Sequence, residues 1–260
     1  MRAWKVYKQF VLSSIARETE FRANFIFKFI QSGLWILFPW ALVEVIFANT
    51  PQIAGWDRAE SLALTATAMI VNTCINVFFW SLQEIPDQIR RGTLDFSITK
   101  PIDSQFIVSL RKMNVSFAGA FISSFLFRAY SLSQFQGQIT VAAALSYTLI
   151  VLCSIIVYYG IMFSMMTLAL YFVRVENLWV LADTAIEVAR YPTDMYVPGV
   201  RSFLTFFLPI ALFATIPTRV LLKGGGAEWI LFSLVAAILV LVLTRLFWKR
   251  SLRRYTSASS

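Results

Sequence analysis

The chain has 260 residues, of which 58% are hydrophobic and only 14% charged, with a mean hydropathy of +0.68. Its 23 Lys and Arg outnumber 14 Asp and Glu, for a formal charge of +9. Soluble domains are nearer half apolar and a quarter charged, so this balance excludes a disordered chain, a soluble enzyme core and a nucleic-acid-binding domain built on basic clusters, and it predicts an all-α polytopic membrane protein.

Residues 1–22 carry Arg2, Lys5, Lys8, Arg17 and Arg22, while Trp4, Tyr7, Val11 and Ile15 fall on one helical stripe. This pattern predicts an amphipathic helix lying in the membrane interface, with Lys8 snorkelling from the stripe's edge. The first span is expected over about 25–47, with Lys28 and Glu44 near its two ends, and the second over about 61–82. A polar loop follows over 83–112, then a third span over about 113–127. The fourth, 141–173, is too long for the bilayer alone and should tilt or project. A final span is expected over about 228–247, and the low-complexity tail 256–260 is expected to be mobile.

The stretch 174–227 admits two readings. Its most apolar part, 203–222, is either a complete fifth span or a broken, re-entrant segment that follows a short fifth span over about 176–190. Pro192, Pro198, Pro209 and Pro217 favour interruption. Segments 1–22, 83–112 and 245–254 hold 15 Lys and Arg, against three (Arg58, Arg128 and Lys223) in the loops that would face the other way. The positive-inside rule then predicts six spans with both termini cytoplasmic. Six spans of about 20 residues leave roughly 140 for everything else, too few for a soluble catalytic domain of ordinary size.

The loop Gln83–Lys112 is the most informative segment. Pro86 suits the first position of a helix, Asp87 its positive end and Arg90 and Arg91 its negative end; Gly92 can stop it in the left-handed conformation. A helix this short needs a partner surface to be stable, which points to docking. The run Arg91-Gly92-Thr93-Leu94-Asp95 followed by Lys100-Pro101 resembles the first cytoplasmic loop of ABC-2-type permeases, where a coupling helix sits in a groove of the ATPase subunit. The block Ala189-Arg190-Tyr191-Pro192-Thr193-Asp194-Met195-Tyr196, with Val200-Arg201-Ser202-Phe203-Leu204-Thr205-Phe206-Phe207-Leu208-Pro209 after it, is similar to one ABC-2 branch with viologen- and drug-export members.

The resemblance covers nearly the whole chain. It implies a single transmembrane domain over 23–255 of type V exporter-like architecture, with an outer re-entrant segment at 192–222. It further implies an ABC ATPase dimer and a second six-span permease, identical or paralogous, as partners in a bacterial plasma membrane. Pro86, Asp87, Gln88, Arg90, Arg91, Gly92, Thr93 and Leu94 become the ATPase-coupling residues, and Arg174, Glu176 and Asn177 a second cytoplasmic turn. ATP and Mg would reside on the partner, since Gly224-Gly225-Gly226-Ala227-Glu228 lacks the GK[S/T] of a phosphate-binding loop and reads as a turn.

Other chemistry is sparse. The sequence has no His, which excludes histidine proton relays and zinc ligation by imidazole, and Cys74 and Cys153 in apolar runs suggest neither a disulfide scaffold nor a metal site. No catalytic residue and no nucleic-acid partner is expected. Asn72 and Asn76 serve either as lining of a substrate path or as hydrogen bonds between helices. Tyr158, Met162 and Met166, in an aromatic and Met-rich stretch, suit either amphiphile binding or helix packing. Asp183 and Glu187 would be costly in a span unless they face a polar cavity or a partner, and they keep open a stand-alone carrier or channel as the alternative. The cargo class implied is a small amphiphilic or toxic compound, with lipid or glycan as alternatives.

Overall fold

The computed structural model describes residues 2–172 and 178–255. Their regular structure is helical. Helix α1, Arg2–Thr19, lies against the body through Tyr7 and Ser14: the Ser14 hydroxyl accepts from the Met113 backbone at 3.1 Å. Trp4 and Ile15, which share the apolar stripe read from the sequence, are exposed. The first long apolar run is two helices, α2 (Arg22–Leu34) and α3 (Leu37–Asn49), parted at Trp35 and Ile36.

Helix α4, Arg58–Phe78, is the central element. Its most apolar stretch is 89% buried, against 11% for α2–α3 and 17% for the last helix. Small Ala and Thr residues let neighbours approach closely, and Thr65, Thr67 and Thr73 return their hydroxyls to carbonyls four residues back. Asp57 and Glu60 form a reciprocal capping box at its start. Beyond it, the 3₁₀ turn Trp80–Glu84 leads to α5 (Ile85–Arg90), α6 (Asp95–Ile98) and α7 (Ser104–Leu110). The third long element is a 3₁₀ turn at Val115–Phe117 continuing into α8 (Ala118–Ser133). It begins after a break at 111–114, because Asn114 donates to the Val77 carbonyl rather than to its own helix.

Helix α9, Val141–Thr167, extends through a 3₁₀ turn to Leu170 and ends against α5. Helix α10 covers Leu178–Ala189. The stretch 198–222 is not one helix. It is α11 (Pro198–Ser202), a π turn (Phe203–Phe207), a 3₁₀ turn (Ile210–Phe213) and α12 (Thr215–Leu222), with the break at Pro209. Helix α13, Ala227–Leu252, closes the fold against α9, where Thr244 donates to the Gly160 carbonyl at 3.1 Å.

Helix α1 and the end of α13 lie at one end of this bundle. Ser14 meets Met113, Arg245 pairs with Asp103, and Trp248 donates to Ser104 at 3.1 Å. This end also carries the three basic segments. Helix α10 runs from it, where Trp179 meets Trp80, to the far end, where the Arg190 carbonyl meets Thr65. Among the described residues, five helical runs are long and apolar enough to cross a membrane. At 12 residues, about 18 Å, α10 is shorter than a hydrocarbon core of about 30 Å.

Candidate functional site: a polar cavity and the segment beneath it

A cavity of about 680 Å³ lies between α2, α4, the start of α8 and α10. Its polar floor is built by helical spacing. Asn72 and Asn76 stand one turn apart on α4, while Trp179, Asp183 and Glu187 recur every four residues on α10, with Arg190 in the turn after it. Asn76 donates to Asn72 at 3.1 Å, and Asn72 donates to the Asp183 carboxylate at 3.0 Å. This relay answers the cost of placing Asp183 on an apolar helix. Glu187 is paired with Arg190, and Glu18 accepts from Ser116 at 2.7 Å. Lys112 in the wall is held by Glu84. Trp35, Trp80, Trp179 and Phe117 supply the apolar surface. The cavity thus offers amides, carboxylates, two lysines, an arginine and four aromatic rings to a solute, an arrangement suited to binding.

The sequence-derived path residues divide. Asn72 and Asn76 line the cavity. Tyr158 and Met162 are fully buried in the core, Tyr158 with its ring against Phe213. Met166 borders a separate cavity of about 350 Å³ shared with Gln83, Pro86, Asp87, Arg90 and Trp179. Of three wall residues the sequence did not single out, Trp80 and Trp179 lie at helix ends, where tryptophan is ordinary, and Trp35 lies at the break between α2 and α3.

The segment below the cavity has the local structure its residues dictate. Pro86 sits in the first turn of α5, and Gly92 stops it at φ +67°. Leu94 is buried and its N–H donates to the Gln88 carbonyl at 3.1 Å, which the Thr93 hydroxyl also reaches at 3.4 Å. Gln88 and Leu94 therefore anchor the turn inward, while Arg90, in an ion pair with Asp87, and Arg91 point outward. Phe96, 70% exposed on α6, and Lys100 extend the outward face. Glu84 clamps this segment to Arg111 and Lys112, and Asp103 clamps it to Arg245. Burial alone would raise the Asp103 carboxyl, but Arg245 and the Phe106 N–H outweigh it and hold it below its ordinary value. Arg174, Glu176 and Asn177 lie outside the described residues.

At the far end, residues remote in sequence converge on Asp194. Its carboxylate accepts from the Trp56 indole at 2.9 Å and pairs with Arg201 at 2.7 Å and with Arg219. Burial works to raise this carboxyl, but Arg219, Trp56 and Arg201 together hold it below the usual carboxylate range. Trp56 is presented by a tight turn in which Ala54 and Gly55 both adopt positive φ.

A helical bundle with five membrane-length helices among the described residues, and a polar cavity between its helices, is the architecture of a multi-pass membrane protein. A sequence model described as ABC-2 family transporter protein matches residues 34–259. The chain belongs to that family, which is a family of transporter membrane components. No curated protein matches the chain.

Proposed function

We propose that the chain is the membrane-spanning half of an ATP-driven exporter in a bacterial plasma membrane. In this reading α10 makes the sixth crossing, and the basic end faces the cytoplasm. Helix α1 lies along that interface with Trp4, Leu12 and Ile15 in lipid. A separate ATPase dimer docks on the outward face of α5 and α6, and a second copy or paralogue completes the pathway. ATP and Mg belong to that dimer. Small amphiphilic compounds are the cargo, handled by Asn72, Asn76 and Asp183.

The observation that carries this reading is the placement of α5. It packs against the end of α9 and shares the smaller cavity with Trp179 at the start of α10. A push on α5 therefore reaches the helix that carries Asp183 and Glu187. Such a linkage suits alternating access, because both sites bias one packed element.

The test is charge reversal, Arg90→Glu with Arg91→Glu. Association with the ATPase and export should both be lost while the permease keeps its melting temperature. If association and export survive unchanged, α5 is not the coupling contact.

A further inference from the structure

The cavity runs from Trp80 and Lys112, beside the basic end, to Met69 on α4 and to Arg190, the residue after α10, whose carbonyl accepts from Thr65 at 3.4 Å near the far end. Four residues beyond that contact stands Asp194, its side chain only 12% exposed. The three donors on its carboxylate come from three separate pieces of chain: Trp56 from the turn before α4, Arg201 from α11 and Arg219 from α12. Lys223, at the end of α12, repeats the tie. It pairs with Glu60 of the α4 capping box at 2.8 Å, donates to the Gly55 carbonyl at 2.6 Å and lies 4.4 Å from the centre of the Trp56 ring.

The piece held this way, 193–223, is joined inside itself by short helices and by breaks at Pro198 and Pro209, so it has places to bend. Without the carboxylate, Arg201 and Arg219 would face each other with the Trp56 N–H left unpaired, and the closed arrangement would lose its centre.

We propose that Asp194 is a positioning residue that holds the segment 193–223 closed over the far end of the cavity, as an outer gate. What passes the gate rests on the transporter reading; the closure itself does not.

The test measures closure without ATP, partner or cargo. Asn72→Cys is placed in the cavity, in a chain whose Cys74 and Cys153 are replaced by Ala. A membrane-impermeant charged maleimide is then added from the far side only. The parent should label slowly. Asp194→Asn should label about tenfold faster, the effect of losing one charge-assisted contact on a closed–open equilibrium, and Asp194→Glu should restore slow labelling. Should Asp194→Asn fail to fold, Trp56→Phe removes a single donor and should give a smaller rise. A folded Asp194→Asn chain that labels at the parent rate overturns the proposal, and so does an unchanged rate in Trp56→Phe. Loss of thermal stability without far-side labelling would assign Asp194 a packing role only and overturns it equally. Because no nucleotide enters the assay, failure of the ATP-driven reading would leave the result intact.

Discussion

Replacing Gly119 by alanine tests how closely α2 and α8 must approach to shape the cavity. A Cβ at this position would stand 2.0 Å from the Phe29 carbonyl oxygen and 2.7 Å from the Ser32 hydroxyl. The hydroxyl can rotate, but the carbonyl belongs to a helix backbone and cannot. Restoring even 3.0 Å requires α2 to retreat by about 1 Å. That retreat breaks two bonds made by Ser32, to the Ser116 carbonyl at 3.0 Å and from the Ala120 N–H at 3.2 Å. Overpacking costs about 1–3 kcal/mol and each lost bond about 0.5–1.5 kcal/mol, so Gly119→Ala should destabilise the chain by about 2–6 kcal/mol. At about 2–4 °C per kcal/mol for a chain of this size, the melting temperature should fall by about 4–24 °C, read from tryptophan emission in detergent. Gly199→Ala is the control: nothing lies within 4 Å of its Cβ, and it should melt with the wild type. A Gly119→Ala protein within about 2 °C of the wild type would refute the close approach. Since Ser32, Ser116 and Ala120 also line the cavity, a shifted α2 should raise the KM for cargo as well.

Three further outcomes are expected. Asn72→Leu removes the donor to Asp183 in a water-accessible cavity, worth about 1 kcal/mol, so the KM for cargo should change roughly fivefold with the melting temperature held; an unchanged KM would remove Asn72 from the path. Arg128 is buried with its guanidinium on the Ala63 carbonyl at 2.8 Å, the Thr67 hydroxyl at 3.3 Å and the Tyr147 ring at 4.5 Å, and among the described residues no carboxylate pairs with it. Arg128→Met should therefore keep or raise the melting temperature, and a fall of more than about 5 °C would contradict the cost assigned to an unpaired buried cation. The Asp194 carboxyl sits below its ordinary value when folded, so its stabilisation is fully present above about pH 4 and is lost as pH falls through the depressed value. Far-side labelling in the Asn72→Cys chain should stay slow from about pH 6 to 8, where maleimide reacts with thiols, and opening should appear only in acid, as a change in the distance between spin labels at Gln52 and Val200; opening near neutrality would contradict the depressed value.

What could be read from the sequence was mostly local chemistry. Pro86 and Gly92 bound α5 because a proline's missing N–H and a glycine's positive φ act within a few residues of themselves. Pro209 marked the break in 198–222 for the same reason. The stripe on α1 does not tell how the helix meets the body: that contact is made by Ser14, whose hydroxyl accepts from the Met113 N–H 99 residues away, and no hydropathy pattern encodes that bond. The break at Trp35 and Ile36 follows the same rule as Pro209: Pro39, in the first turn of α3, has no N–H for the Trp35 carbonyl, and Ser32-Gly33 lie just before it. Asp183 and Glu187 stood out as charges needing a reason, and the cavity is that reason. Tyr158 and Met162 could not be separated from path residues, because buried methionine and tyrosine look alike in either setting. The Asp194 cluster was illegible, since its partner Trp56 lies 138 residues away.

The most direct measurement is purification of this chain from its native host in mild detergent, with mass spectrometry of what accompanies it. The account expects an ATPase carrying a GK[S/T] phosphate-binding loop, together with a second copy of this chain or a six-span paralogue. Recovery of this chain alone, in a preparation where other membrane complexes stay whole, would contradict it and favour a carrier that draws on an ion gradient through Asp183 and Glu187.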